Sequence, residues 1–490
     1  ALELRNLILC LPTFDGPIFA TASEKLSFGN HILECAVKLV RGAIVRTEPT
    51  PLAVSDHSPD YETGGQRQEQ LELHLNLFLR VTNNNKVENL CQMSQFEPTM
   101  LQLGELTLTI CQEIATLAEQ AMQAFEQHGK VPEDQSDTLL MNTWRGEVLA
   151  LCLDSWGVIL ENPRIASETA GITPKDVSEG VSLNPQFPAW LRTISHDIFS
   201  RSFQGMFVTL LFETLTEAEE EQNEDDALIE SRETGDLLVG MCTLGRASFN
   251  ASVSYMQQVL SVSVGELQAL AQQPPQALMQ SSVGQARCIQ ALEKCRICVE
   301  LCSYLCVENF RPVSEEMGKE TPIVNESILY QLAANPKGTA QLYELVAQIG
   351  ALLLWETQLS VTYAGGHPLH SPFLLQAIYR FFSEYTERFV DPDPELYSDE
   401  SIAIAGEILQ GMTGTDINVV LDITLQCTHL IITTTPLEND LIAAAAELLL
   451  TLSRRRNPSR VSHLVSTTHV HSMAQYITTL SSGASNTSIS

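Results

Sequence analysis

Gly338–Trp355 reads Gly-Thr-Ala-Gln-Leu-Tyr-Glu-Leu-Val-Ala-Gln-Ile-Gly-Ala-Leu-Leu-Leu-Trp, and its apolar spacing decides the fold class. Leu342, Leu345, Val346, Ile349, Leu352 and Leu353 recur at steps of three and four, which lines them along one face of an α-helix. Working outward, the same period returns in Asp137–Glu161, where Leu149, Leu153, Trp156 and Leu160 share one stripe. Leu437–Arg456 carries end signals as well. Thr435 can cap, Pro436 suits the first helical position, and Glu438 completes a capping box. Arg454, Arg455 and Arg456 complement the dipole at the far end, and Pro458 stops the helix.

Further helices are expected near 24–46, 66–80, 100–127, 188–216, 236–271, 284–310, 370–389, 400–412, 416–432 and 460–480, whereas period-two strands are missing. The total is roughly fourteen helices, many paired through short connections. Antiparallel pairs recurring every ~40–47 residues are the signature of HEAT-type repeats. The expected fold is therefore all-α, an α-solenoid of HEAT-like antiparallel helix pairs running as one continuous repeat region over 1–490. A conventional multi-domain α protein stays open, because polar insertions make the period irregular. Thr47–Gln70, with Pro49, Pro51, Pro59 and the pair Gly64-Gly65, is expected to be a disordered loop. Asn162–Pro188 is a further insertion, Gln272–Gly284 with Pro274-Pro275 reads as a linker between helices, and Ser481–Ser490 as a frayed tail.

The composition narrows the function classes. The chain has 490 residues, is 44% hydrophobic and only 6% aromatic, which suits helix-on-helix packing. Its net charge of −32, from 60 acidic against 28 basic residues, repels phosphate backbones and anionic lipid. Direct nucleic-acid or membrane-surface binding is thereby disfavoured, and basic proteins are favoured as partners. The longest apolar run, Leu441–Leu452, is 12 residues and contains Glu447, short of the ~20 a membrane span needs. The first residues read as the middle of an amphipathic helix, so the sequence is expected to be an internal piece of a longer protein. Twelve Cys without a spaced disulfide framework point to reduced thiols inside a cell.

Charge concentrates in Glu217–Asp226, where seven of ten residues are acidic: Glu217, Glu219, Glu220, Glu221, Glu224, Asp225 and Asp226. Like charges this close favour an extended segment until a cation neutralises them. Residues 217–236 are accordingly expected to be an acidic loop, and these seven side chains a contact for a Lys/Arg-rich protein surface. The alternative is a loop that only solvates the protein.

Cys288, Cys295, Cys298, Cys302 and Cys306 invite a zinc or redox reading. At 100° per residue all five fall within an arc of about 80°, with Gln290, Glu293, Arg296 and Glu300 on the other side. Cys295 and Cys306 are then roughly 16 Å apart along the axis, whereas tetrahedral zinc needs every sulfur ~2.3 Å from one ion. The five are expected to be small buried residues that let a neighbouring helix come close. His463, His469 and His471 lack a carboxylate or Cys cluster nearby and read as surface histidines. Phosphate-binding, dinucleotide, zinc-protease and serine-hydrolase signatures are missing. The expectation is a binding protein without catalytic, metal-binding or cofactor-binding residues.

Local strings then add a resemblance. Leu153-Asp154-Ser155-Trp156-Gly157-Val158-Ile159-Leu160 resembles a Leu-acidic-Ser-Trp helix of the exportin-4-like nuclear transport receptors in the karyopherin-β family. The block Glu217–Asp226 falls where those receptors carry an acidic insertion. Leu244-Gly245-Arg246, Gly318-Lys319-Glu320-Thr321-Pro322-Ile323 and the stretch Tyr379–Tyr397, ending Glu395-Leu396-Tyr397, are similar to later strings in the same order. The matches cover roughly residues 145–400; the flanks match only by helical pattern.

The resemblance implies a receptor that shuttles between nucleus and cytoplasm and exports cargo under control of the GTPase Ran. It implies Ran–GTP as partner, held mainly by repeats that would precede Ala1. Nuclear pore proteins and basic cargo follow too, among them the hypusine-bearing translation factor. Ran–GTP and cargo would stabilise the same curvature and so raise each other's affinity. Two other readings stay open: a static α-solenoid scaffold subunit of a cytoplasmic complex without Ran dependence, and an enzyme or redox protein using the Cys helix.

Overall fold

The computed structural model describes residues 21–44, 59–83, 85, 87–128, 144–162, 165, 186–220, 232–280, 282–306, 311–312, 322–323, 327–363, 367–390, 399, 402–406, 417–434, 439–453 and 465–475. The fold is all-α. Its principal helices are α1 (Ala22–Ile44), α2 (Pro59–Asn83), α3 (Val87–Gln92), α4 (Phe96–His128), α5 (Trp144–Leu160), α6 (Gln186–Glu220), α7 (Arg232–Ala247) and α8 (Phe249–Ala271). They continue as α9 (Pro275–Met279), α10 (Ser282–Cys306), α11 (Ser327–Ala334), α12 (Pro336–Tyr363), α13 (Pro372–Tyr385), α14 (Ile417–Thr434) and α15 (Asn439–Ser453). A five-residue π-helical turn, Thr386–Val390, prolongs α13. Among the described residues the β structure is one two-residue antiparallel pair, Arg311–Pro312 with Pro322–Ile323.

Three expected boundaries move. The loop placed at 47–70 gives way from Pro59 to helix α2, while 47–58 lie outside the described residues. Pro59 sits where its missing N–H costs nothing, and Gly64-Gly65, each worth about 1 kcal/mol against a helix, are carried by its length and packing. The linker at 272–284 contains the helical turn α9, and α10 begins inside it at Ser282. The single helix read over 236–271 is two helices. Ser248 N–H bonds back to Gly245 O at 3.1 Å in a tight turn, and Ser248 O starts the next helix by accepting from Ser252 N–H.

The chain divides into two compact units, Ala1–Ser252 and Val253–Ser490. In the first, α1, α4 and α6 form one layer and α2, α5 and α7 the other. Each helix packs on its partner in the pair (α1 on α2, α4 on α5, α6 on α7) and on the next helix of its own layer. Direction can be read from the contacts. Thr107 meets Trp156 and Glu113 meets Arg145, so α4 and α5 run antiparallel. Phe96 meets Phe187, Gly104 meets Ile194, Cys111 meets Ser202 and Ala115 meets Gly205, so α4 and α6 run parallel, in step for five turns.

The second unit repeats the scheme with α8, α12 and α14 in one layer and α10, α13 and α15 in the other. Ser263 against Cys298 and Glu266 against Lys294 make α8 and α10 antiparallel. Three side-chain bonds tie α8 to α12 at one constant offset of 87 residues: Gln341 to Ser254 at 3.2 Å, Gln257 to Glu344 at 2.7 Å, and Gln348 to Ser261 at 2.9 Å. That in-register polar ladder fixes two parallel helices. In the other layer α13 packs between α10 and α15. The α4–α5, α8–α10 and α12–α13 pairs are thus antiparallel, with parallel neighbours at α4–α6 and α8–α12, the local geometry of an α-solenoid.

Candidate functional site

The acidic block hangs from the first-layer helix of the third pair in the first unit. The backbone of Glu217–Glu220 is the last turn of α6, so the expected loop at 217–236 is shortened at its start, and at its end by α7 from Arg232. The side chains of Glu217, Glu219 and Glu220, and all of Glu221, Glu224, Asp225 and Asp226, lie outside the described residues. Further along α6, Arg201 Nη1 donates to Gln112 Oε1 at 2.6 Å and Gln204 Nε2 to Glu119 Oε1 at 3.3 Å. The same helix that carries the block is thus pinned to α4 by polar side chains as well as by its core.

A second concentration of charge, which the sequence reading missed, crosses the α10–α13–α15 layer of the second unit. Arg296 sends one guanidinium arm to Glu293 at 2.6 Å and the other to Glu300 at 2.9 Å. Its side chain is only 6% exposed, so this pairing is shielded from solvent. Burial lifts the Glu300 carboxyl above its ordinary range, against the pull of Arg296. On the adjacent α13, Arg380 lies 5.4 Å from the centre of the Tyr304 ring and its charge reaches Glu300. Glu384 is raised in turn by burial, opposed by Arg388, with Glu387, Arg380 and Glu447 of α15 also acting on it. Arg296, Arg380 and Arg388 thus act on Glu293, Glu300 and Glu384, while Glu387 and Glu447 add repulsion at Glu384. The acid surplus of the chain recurs here on the scale of one layer. Helical spacing had put Glu293, Arg296 and Glu300 on the polar side of α10; the structure buries that side too.

The cysteine stripe is buried in α10 at every position, Cys288, Cys295, Cys298, Cys302 and Cys306. Burial pushes the Cys298 thiol up to about 12, as it does Cys152 and Cys242. A thiol raised this far is a poor nucleophile and a poor ligand at neutral pH. Among the described residues no group of three or more His, Cys, Asp or Glu is placed to hold a metal ion. His463 lies outside the described residues. His469 meets His429 of α14 with ring centres 5.7 Å apart, while the Nδ1 of His471 lies 3.0 Å from Thr467 O. No described helix is long and apolar enough to cross a membrane.

Many described residues of the strings that carried the resemblance serve packing. Trp156 is fully buried with its Nε1 donating to Thr107 Oγ1 at 3.0 Å, and Leu153 lies against Gly240 of α7. Leu244 is buried, and Arg246 is buried with Nη2 donating to Thr243 Oγ1 at 2.6 Å. Tyr379, Phe381, Phe382, Tyr385 and Phe389 form the core of α13 and its π turn. Pro322–Ile323 lies in the short β pair; Gly318–Thr321 and Glu395–Tyr397 lie outside the described residues. The buried residues of these strings serve the stacking of helices. No protein-family model matches the chain, and no curated protein matches it.

Proposed function

We propose that the chain is the cargo-binding repeat region of a karyopherin-β-type nuclear export receptor, working by binding alone. The observation that carries this reading is the stacking of antiparallel pairs in each unit, with parallel neighbours held in register as in the 87-residue α8–α12 ladder. Such a stack buries its core between neighbours only, so small changes at each interface can be shared along it. Ran–GTP and a cargo that favour the same arrangement then strengthen each other, and GTP hydrolysis releases both. The net charge of −32, the surplus carboxylates at Glu217–Asp226 and the exposed Glu387 and Glu447 suit a basic cargo, such as the hypusine-bearing translation factor. Pore proteins would be met during shuttling between nucleus and cytoplasm.

A second reading is a static scaffold subunit. The finding that favours it is that Trp156, Leu244 and the α13 aromatics, which carried the resemblance, all serve packing. A pull-down on the longest protein containing this sequence, with GTP-locked and GDP-bound Ran, separates the two. Preferential retention of the GTP form, enhanced by a basic cargo, is expected. Equal retention, or none on either form, leaves the scaffold.

A further inference from the structure

The turn joining α12 to α13 is tied to a carboxylate buried in α12. Residues 367–370 close tightly: His370 N–H bonds to His367 O at 3.0 Å, and Leu369 N–H to His367 Nδ1 at 3.1 Å. Ser371 then caps α13, its Oγ accepting from Leu374 N–H at 3.2 Å, with Pro372 next. The N–H of Ser371 itself donates to Glu356 Oε1, and His370 Nδ1 stands 3.4 Å from that same oxygen. One carboxylate oxygen thus holds the last residue of the turn and the first of the cap. The side chains of Glu356 and His370 are 0% and 2% exposed.

Several groups face this pair. The Cys295 thiol approaches from α10 and feels the Glu356 charge, with Lys294 and Glu266 acting on the same thiol. His367 lies on the turn, its own pKa lowered by burial and by the neighbouring His370. Ser360 and Thr357 lie on α12, and Cys427 of α14 meets the Thr357 hydroxyl. Glu356 Oε2, Ser360 Oγ and both ring nitrogens of His370 have no hydrogen-bond partner among the described residues, so the 3.4 Å approach of Nδ1 to Glu356 Oε1 is an ion-pair contact. Carboxyl and imidazole are therefore each other's principal means of neutralisation. With one proton between them the pair is neutral, as carboxylate with imidazolium or as acid with imidazole. A second proton leaves a buried cation, and loss of the last proton leaves a buried anion; both are costly in such a place. Burial holds the Glu356 carboxyl above its usual range, in keeping with a retained proton.

We propose that Glu356 and His370 form a one-proton clasp that fixes the α12–α13 corner at intermediate pH and loosens it when the pair gains a second proton or loses its last. This is independent of what the chain binds. Hydrogen exchange read by mass spectrometry tests it on the intact chain from about pH 5 to about pH 9, with intrinsic rates divided out. The fragment 367–376 reports the clasp and 340–352, inside α12, is the reference. The expected protection ratio peaks in mid-range and falls roughly tenfold to either side, one pKa unit of differential binding. Glu356→Gln should abolish the alkaline fall, His370→Asn the acid fall, and His367→Asn neither. A flat ratio in the wild type overturns the clasp without need of any variant. So do variants of Glu356 and His370 that keep the wild-type profile, or a His367→Asn that removes the acid limb.

Discussion

Trp156 and Thr107 are joined across α4 and α5 by a 3.0 Å hydrogen bond from the indole Nε1 to a hydroxyl whose own proton goes to Leu103 O. Both residues are fully buried. Trp156→Phe keeps most of the ring but leaves the Thr107 oxygen without its donor. It is expected to cost about 1–3 kcal/mol, the penalty for stranding a buried polar group. Thr107→Val strands the indole N–H and also deletes the bond to Leu103. The double variant should be less destabilised than the sum of the two, by about 1 kcal/mol or more in urea unfolding. Strict additivity would show that the bond contributes nothing.

Two glycines in helices make a matched pair. A Cβ on Gly240 would stand 2.9 Å from Leu153 Cβ, whereas one on Gly265 would meet nothing within 4 Å. Helix propensity favours Ala over Gly by about 1 kcal/mol at both sites. At Gly265 that gain is unopposed, so Gly265→Ala should stabilise by about 0.5–1 kcal/mol. At Gly240 the clash is with an atom bonded to backbone, so α5 and α7 must separate. Gly240→Ala should destabilise on balance, by roughly 1–2 kcal/mol. Opposite shifts in thermal midpoint check this; equal shifts would mean that the α5–α7 contact yields freely.

The Glu300 carboxyl gives a pH dependence whose sign can be worked out. Its pKa is raised by burial, opposed by Arg296. It therefore binds its proton more tightly folded than unfolded. The stability it contributes is present below the unfolded carboxyl value and is lost as pH rises through the folded one. Glu300→Gln removes that loss, while Arg296 keeps Glu293 at 2.6 Å. The variant should gain on the wild type in urea midpoint between about pH 4 and about pH 8. A variant that falls behind as pH rises would show that attraction to Arg296 outweighs burial.

The stripe Leu342, Leu345, Val346, Ile349, Leu352 and Leu353 could be read directly because one-sided burial imposes a period, and all six are buried. The cysteine arc of α10 was legible for the same reason. Burial on the opposite side of that helix was not. Glu293, Arg296 and Glu300 look solvated by helical spacing, yet they neutralise one another locally and so can be covered. The break at Ser248 was missed although its turn, Gly245-Arg246-Ala247-Ser248, holds a Gly and a Ser suited to cap the next helix. Glu356 and His370 are invisible as a pair, because the turn that brings them together has no fixed spacing in sequence. The one available signal was a Glu directly after the apolar run Leu352-Leu353-Leu354-Trp355.

The acidic block offers a test in which loss of binding can be told apart from loss of fold. Glu219 and Glu220 close α6, where the helix dipole places partial negative charge. Carboxylates there work against the helix by about 0.3–1 kcal/mol each, and lysines would favour it. Reversing Glu219, Glu220, Glu221, Asp225 and Asp226 to Lys should therefore hold or raise helicity by circular dichroism. If the block is a contact for basic surfaces, the same change should weaken capture of a Lys-rich peptide at low ionic strength. The wild-type affinity should itself fall steeply between about 0.05 and about 0.3 M salt, as screening shortens the reach of exposed charge. Reversed charges that leave that affinity untouched would reduce the block to a solvating segment. Reduced helicity is the one result the fold does not allow, since the substitutions remove a conflict at the end of α6 and do not create one.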